Sequence, residues 1–586
     1  MKIDFQPQAG TIKDPQHTQS SEFRWDETQL VHFPDGFVTP IPSFSASGFN
    51  VGDGSLFTGT CRSQWTSRLE GSNQGVYNFF GTQGRLYVAI GGKLYNITPL
   101  QTASVALGSN PLATVNTTAV ITVTQTAHGY VTGDRVKLSG AATTNGIPNT
   151  EINAEHIITR IDDNSYTITV STDATSTASG GGASVIVFGQ IAAGNENQDD
   201  GRGWGYGIWG YGIWGAPLVS ATAQSYPRIW SFDNFGNEIV MCPGDYLAGD
   251  GQKVYIWDGD TSIAPTVLAN APTNCNWVSV INNSVVALCE DKIRISELGD
   301  ATVWTGATTT TIDVQRASRL ISSHSVGEKA AIVFSPEPYY LSFSGGEWDL
   351  VELGAQYPIM SPLSACPLND GLIWYSDNGR LCYFNGSSVD IIVNRQNGEF
   401  LRRQVSAGAQ WTAFMMSDPK HRQVWFFYPS TGNTSPNKYM IFNPDTESFT
   451  LGALSRSSAS RPNKLDQQFY MTGGDDIYSH FNNTTASFAW SASSAFFYVD
   501  GSRRYRVTDL EGDIYQGDDF TIAVNGKSYP QSPTQTFAGR VMSAVRGVTS
   551  IRAAGALLQV AVNGTGDMTL RGLKINVTPL GKRRGG

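Results

Sequence analysis

The chain has 586 residues, only 15% of them charged, and 40 basic against 50 acidic side chains leave a net charge of −10. That balance excludes a protein built to grip nucleic acid through its phosphates, which takes clustered Lys and Arg. A 40% hydrophobic content excludes a disordered chain, and the many Val, Ile, Thr, Tyr, Phe and Trp beside few strong helix formers exclude a helical bundle or coiled coil. In chain order, the opening MKIDFQPQAG carries no apolar core of a signal peptide, and no run of 18 apolar residues follows anywhere. The expectation is synthesis in a cytoplasm, with no spanning helix.

The first strong element is the hairpin RLYVAIGGKLYNI from Arg85. The same unit, an apolar strand, a Gly, Asn or Asp turn and a second strand with Tyr or Trp, returns from Asn237, Asn283, Lys329, Gly371, Arg422 and Gln468. From Asn237 onward the starts differ by 46, 46, 42, 51 and 46 residues. A period of roughly 40–50 residues is the size of one four-stranded propeller blade. The competing arrangement is a set of unrelated hairpins in two or three sandwiches. Turn pairs such as Gly91-Gly92, Asn378-Gly379 and Gly473-Gly474 suit tight or bulged connections.

Between Arg85 and Asn237 the chain is about 100 residues too long for one blade. The Thr-, Ala- and Ser-rich excess, with strands AVITVTQT, DRVKLSG, HIITRID and SYTITVST, predicts a compact β-module inserted in a loop. Its tail, Ser179-Gly180-Gly181-Gly182, reads as a flexible exit. After residue 480, alternating runs such as DFTIAVNG and LLQVAVNG predict a separate closing β-domain.

Residues 203–215 read GWGYGIWGYGIWG, with YGIWG twice. Glycines alternate with bulky apolar groups, and Trp204, Tyr206, Trp209, Tyr211 and Trp214 are candidate contacts with another subunit or partner. Packing within the subunit, an exposed partner-binding tip and a membrane wedge all fit the pattern, the wedge least because only Arg202 adds positive charge nearby.

Motifs of catalysis are missing from the text. The seven His form no H-E-x-x-H or H-x-H, and there is no G-x-S-x-G elbow, Walker A or dinucleotide glycine pattern. Ser376-Asp377-Asn378-Gly379 is similar to the Asp-box turn of sialidases, a pattern that loops of this composition also produce by chance. Asp162-Asp163, Asp475-Asp476 and Asp518-Asp519 read as solvated turns, without the spaced oxygens of a calcium loop. Cys61, Cys242, Cys275, Cys289, Cys366 and Cys382 contain no C-x-x-C and read as small buried hydrophobes in a reducing compartment. No catalytic residue, cofactor site or metal site is expected. The basic run Lys582, Arg583, Arg584 reads as a solvated end or a subunit contact.

Several segments together resemble the tail nozzle proteins of short-tailed bacteriophages, also called tail tubular protein B or tail hub proteins. They are FTGTCRSQ (57–64), GRLYVAIGGKLYNITP (84–99), the ribbon at 203–215, RIWSFDNFGNEIVMCPGDYLAGDGQKVYIWD (228–258) and KIRISELGDATVWT (292–305). FSPEPYYLSFSGG (334–346), GLIWYSDNGRLCYFNG (371–386), RQVWFFYPS (422–430) and LRGLKINVTPLGKRR (570–584) complete the series. Each is soft alone; their order is more specific, and they span most of the chain outside the insert. The insert's HGYVTGDRVKLSGA (128–141) looks like a β-module that recurs in phage structural proteins. The resemblance implies a virion structural protein, no enzyme, at the distal end of the tail, assembled in the bacterial host cytoplasm. It implies a hexameric ring around a channel that is shut before infection and opens for DNA ejection. DNA passes without sequence-specific binding, and the partners are the tail adaptor, tail fibre or tailspike proteins, with contact to the host surface.

The expected fold is all-β: a β-propeller-like core with an inserted small β-domain and a C-terminal β-sandwich-like domain. The expected division is 1–100 (N-terminal segment and first propeller hairpin), 101–190 (insert), 191–480 (remainder of the propeller) and 481–586 (C-terminal β-domain). The alternative function is a polysaccharide-binding or depolymerising propeller protein of the tail. It would use a cleft with clustered Asp, Glu or Tyr.

Overall fold

The computed structural model describes residues 1–13, 23–51, 59–69, 75–82, 84–191, 198–199, 225–244, 250–306, 309–314, 320–335, 337–354, 357–392, 395–460, 469–474, 476–480, 488–500 and 503–580. The fold is all-β and β-propeller-like, with an inserted β-domain and a sandwich-like C-terminal domain. The chain separates into two compact units: residues 1–45, 363–456 and 479–586 form the first, and 46–362 with 457–478 the second.

In the second unit, sheet 1 is built from Asn50–Val51, Ser63–Leu69, Gly75–Gly81, Leu86–Ile90 and Lys93–Asn96. Sheet 2 holds Ser231–Phe235, Glu238–Cys242, Tyr255–Trp257 and Thr266–Val267. Sheet 3 holds Trp277–Ile281, Ser284–Cys289, Lys292–Ile295 and Thr310–Asp313, and sheet 4 Ser322–Ser325, Ala330–Ser335, Glu337–Ser344 and Glu347–Glu352. Sheets 2 to 4 run antiparallel in strict chain order, the meander of a propeller blade. A short ladder joins Ser458–Ala459 to Phe469–Gly473. The recurring hairpins from Asn237, Asn283 and Lys329 are the second and third strands of sheets 2 to 4, and the hairpin from Arg85 is the last two strands of sheet 1. They read clearly because both faces are buried: Ser284–Cys289 and Ala330–Ser335 are buried at every residue.

The first strands lie side by side from sheet to sheet. Their polar side chains are stitches. Ser63 Oγ accepts from Trp230 N–H at 3.1 Å, and Ser231 Oγ accepts from Val278 N–H at 2.9 Å. Asp233 Oδ2 accepts from Val280 N–H at 2.7 Å, and the hydroxyls of Ser279 and Ser323 meet at 2.7 Å. Trp277 Nε1 donates to Ser323 O at 3.1 Å, and His324 Nε2 lies 3.0 Å from Pro362 O. Between these strands, sheets 1 and 2 pack a core of Phe79, Val88, Trp230, Ile239 and Trp257, each such side chain contributing roughly 1.5–3 kcal/mol.

The insert is a two-sheet sandwich. One sheet orders Val105–Ala106, Ile186–Gly189, Arg135–Ser139 and Glu155–Ile157; the other orders Thr159–Arg160, Ser165–Thr169, Val120–Thr124, Leu112–Thr114 and Ala178–Gly180. Leu112, Ile121, Val136, Leu138, Tyr166 and Val187 are among its fully buried core. The tail read as a flexible exit is structural. Ala178–Gly180 pairs with Leu112–Thr114, and Gly181, at φ +101°, lies so close to Leu112 that a Cβ there would approach its Cγ to 2.9 Å. Its glycines serve strand and turn geometry, which composition alone does not separate from a linker.

A polar seam fixes the insert to sheets 1 and 2. Arg85 pairs with Asp134 and donates to Gln190 Oε1 at 3.1 Å. Arg135, 3% exposed, donates to Ser262 O at 2.7 Å and Thr261 O at 2.9 Å, with Glu155 3.9 Å away. Glu155 in turn accepts from Ala264 N–H at 2.9 Å.

In the first unit, sheet 5 holds Ala365–Leu368, Gly371–Tyr375, Leu381–Phe384 and Val389–Ile392, and sheet 6 holds Phe414–Asp418, Gln423–Tyr428, Lys438–Asn443 and Ser448–Ala453. The terminal sheets use both ends of the chain. Lys2–Phe5 pairs with Met568–Pro579 in one sheet, and Arg24–Gln29 pairs with Trp490–Ser494 in the other. The first 45 residues therefore group with 479–586, whereas the sequence reading set 1–100 together with the first propeller hairpin. Sheets 5 and 6 group with them too. Strand pairing across the whole chain has no local signature, which is why segment boundaries did not reveal it.

Burial sets the acid response. His32 is pushed down to about 4 by burial and the neighbouring His421, and His480 is held well below the usual range by burial and Arg456. Both lie in the first unit. Unfolded histidines take up protons below about pH 6.5 and these folded ones do not, so stability is lost as pH falls from 6.5 to 4, by about 3 kcal/mol for His32 alone. In sheets 1–4, His324, also pushed to about 4 by burial, is opposed by Asp233, raised to about 6 by burial. Asp233 loses stability in the other direction, as pH rises from about 4 to 6. Hydrogen exchange at pH 5 against pH 7 is expected to show the first unit losing protection while sheets 2–4 change little; equal loss in both refutes this assignment. Arg135→Ala removes the donors to Ser262 O and Thr261 O and is expected to cost roughly 1–3 kcal/mol, read as a lower melting midpoint with new protease cuts flanking residues 101–190. An unchanged midpoint and digest would show that the seam contributes nothing.

Candidate functional site

The charged concavity with the most built character lies in the first unit, where the helix Arg395–Gln404 sits against sheets 5 and 6. Among the described residues it is a cleft of about 600 Å3. Leu381, Ile391, Leu401, Met440 and Phe449 supply apolar wall, and Asn378, Arg380, Glu399 and Arg402 supply polar rim. The helix seats on the Ser376–Gly379 turn through two glycines. Gly379 has φ +83°, and a Cβ on it would lie 3.2 Å from Arg402 Cβ; a Cβ on Gly398 would lie 3.4 Å from Gly379 O. The turn closes through Gly379 N–H to Ser376 O at 3.0 Å and Ser376 Oγ to Asn378 Oδ1 at 2.9 Å. The segment that resembles an Asp-box is therefore the seat of a helix.

The electrostatics favour recognition over proton transfer. Glu399 accepts from Arg402 Nε at 3.2 Å and Arg403 Nε at 3.0 Å, and these donors, Arg402 first, hold its carboxyl below the ordinary range. It is the one carboxylate among the described lining residues. Asp377, beside the turn, is raised by burial. Tyr375 stacks on Phe426 at 4.2 Å, and its buried hydroxyl has no hydrogen-bond partner among the described residues; burial raises its pKa. Apolar walls under an arginine rim suit an amphipathic or anionic segment.

Several titratable groups singled out by the sequence make structural contacts. Asp418, 2% exposed, accepts from Lys420 N–H and His421 N–H and meets His421 Nδ1 at 2.7 Å. The next ring, His32 at 5.5 Å, bonds Gln423, and Asp418 ties the hairpin turn through the Lys420 and His421 N–H groups. Asp162 Oδ1 caps Asn164 N–H at 2.7 Å, while Asp518 and Asp519 accept from Asp567 N–H and Ala544 N–H respectively. All six cysteines are buried. Among the described residues, no three His, Cys, Asp or Glu gather as a metal site, and no helix is long and apolar enough to cross a membrane. Trp204, Tyr206, Trp209, Tyr211 and Trp214 lie outside the described residues, as do Asp475, His17 and Lys582–Arg584.

Sequence reasoning did not find the helix or its charges. The available signal was Glu399 followed by Arg at i+3 and i+4 within RQNGEFLRRQ, a helical ion-pair spacing.

No protein-family model and no characterised protein sequence matches the chain. Among solved structures, it is similar to the computationally designed Ika8 protein at 8% identity and TM-score 0.32, covering 74% of this chain and 99% of that one. It is similar to YCF48 bound to D1 peptide at 9% identity and TM-score 0.30, covering 67% of this chain and all of that one. The fold assignment rests on the strand topology described above.

Gly379→Ala places a Cβ in a left-handed conformation and against Arg402. A loss of about 1–3 kcal/mol is expected, with faster amide exchange in Arg395–Gln404. Unchanged exchange would mean the helix is not seated on this turn.

Proposed function

We propose that the chain is a virion structural protein, the distal tail nozzle of a short-tailed bacteriophage, forming a hexameric ring around a gated channel for DNA ejection. The observation that carries this reading is the ordered set of nozzle-like segments. Apart from the ribbon at 203–215, which lies outside the described residues, they fall in sequence on sheet 1, sheets 2 to 6 and the final strand Met568–Pro579, which supports a resemblance spread along the chain. Charge supports it: six copies carry 6 × −10 = −60, and an acidic lumen lets a polyanion slide where basic contacts would hold it. Low charge and abundant aromatics suit large obligate interfaces. Loops close the channel, and contact with the host shifts a two-state equilibrium towards open; the partners are the tail adaptor and fibre or tailspike proteins. Electron microscopy of the purified protein, and of virions with this chain labelled, is expected to show sixfold rings at the tail tip. Monomers that never join a tail would overturn the proposal.

A second reading, a polysaccharide-binding or depolymerising tail protein, would use the cleft beside Arg395–Gln404, whose single lining carboxylate, Glu399, suits binding better than cleavage. Release of reducing ends from host surface glycan by the purified chain would favour it, and the loss of that release in Arg380→Ala would place it at the cleft.

A further inference from the structure

We propose that Cys275 and Cys289 form an oxidation site, a reversible disulfide that locks sheet 3 across its first two strands. Cys275 sits in the segment entering Trp277–Ile281, its N–H bonded to Gln252 O at 2.8 Å. Cys289 ends the paired strand Ser284–Cys289, where Trp277 is opposite Leu288. The two Sγ atoms are 2.9 Å apart, closer than two non-bonded sulfurs settle, and both residues are buried, at 0% and 3% exposure. Their surroundings are apolar: Val254, Leu268, Val278, Ala287 and Trp304. Cys242 shares this core, but its Sγ points to Cys275 O at 3.5 Å, so its partner is a carbonyl.

The chemistry needs a co-reactant of the small-molecule disulfide class, such as oxidised glutathione. One protein thiolate attacks that disulfide, releasing one glutathione thiol and leaving a mixed disulfide. The second protein thiolate attacks the mixed disulfide at the protein sulfur and expels the other glutathione thiol. Two S–H bonds are lost from the protein, one S–S bond forms, and two glutathione thiols carry away the protons and electrons. Burial raises the Cys275 thiol, so the closed fold reacts slowly and local opening of the 275 segment gates the reaction. The bond spans 14 positions and restrains the unfolded chain more than the folded one. A protein assembled in reducing cytoplasm and later exposed to an oxidising medium would gain this lock without changing its contacts. The inference does not depend on the nozzle reading.

The test uses the full chain, reduced, freed of reductant and incubated with oxidised glutathione both as folded protein and during refolding. Free thiols are then alkylated, and the protein is digested without reduction. Two of six thiols are expected to escape alkylation, the intact mass to fall by two hydrogens, and a Cys275–Cys289 linked peptide to appear. The melting midpoint should rise and return on reduction. Cys242→Ser is expected to keep the link. Six alkylated thiols under both conditions, or a link through Cys242, overturns the proposal. The wild-type peptide map decides this even if Cys242→Ser fails to fold.

Discussion

The architecture of the second unit depends on one recurring interaction: a short polar side chain on the first strand of a sheet accepts a backbone N–H from the neighbouring first strand. Ser63 serves Trp230, Ser231 serves Val278 and Asp233 serves Val280. First strands of adjacent sheets do not share a ladder, so some of their N–H groups need acceptors from elsewhere, and an unsatisfied buried one costs about 1–3 kcal/mol. The stitches meet that need and also set the spacing of successive sheets, so the apolar layers between them can interdigitate. Asp233 takes this furthest, since burial raises its carboxyl to about 6 while two backbone N–H groups favour its ionised form.

The same logic governs the insert. A loop that interrupts sheet 1 and sheet 2 would ordinarily leave its passenger domain free to swing. Here Arg85–Asp134, Arg135 with the 261–262 carbonyls and Glu155 with Ala264 N–H tie the sandwich down at several points. Each side of this seam has its own apolar core, and polar groups join them.

Much of the strand content was legible. The hairpins that recur at 42 to 51 residues are second and third strands, with largely apolar runs and Gly and Asn turns, such as Asn378-Gly379 with Gly379 at φ +83°. First strands were harder to see because Ser231, Asp233 and Ser279 interrupt the apolar pattern, the residues that make the stitches. The cleft was not legible. Its helix is short and polar, and the features that seat it, Gly379 and Gly398, are glycines among 62. Nothing local marks which turn a helix will rest on.

The amino-acid sequence by itself determined the all-β class, the hairpin rhythm, the inserted module's strands and the absence of familiar catalytic motifs, because these follow from side-chain alternation and turn chemistry within a few residues. Tertiary structure decided the partners. Lys2–Phe5 pairs with Met568–Pro579, Arg135 reaches Thr261, and Cys275 meets Cys289. Strand edges are chemically alike, and the choice among them is made by which faces can be buried together, a property of the whole chain that no window of sequence contains.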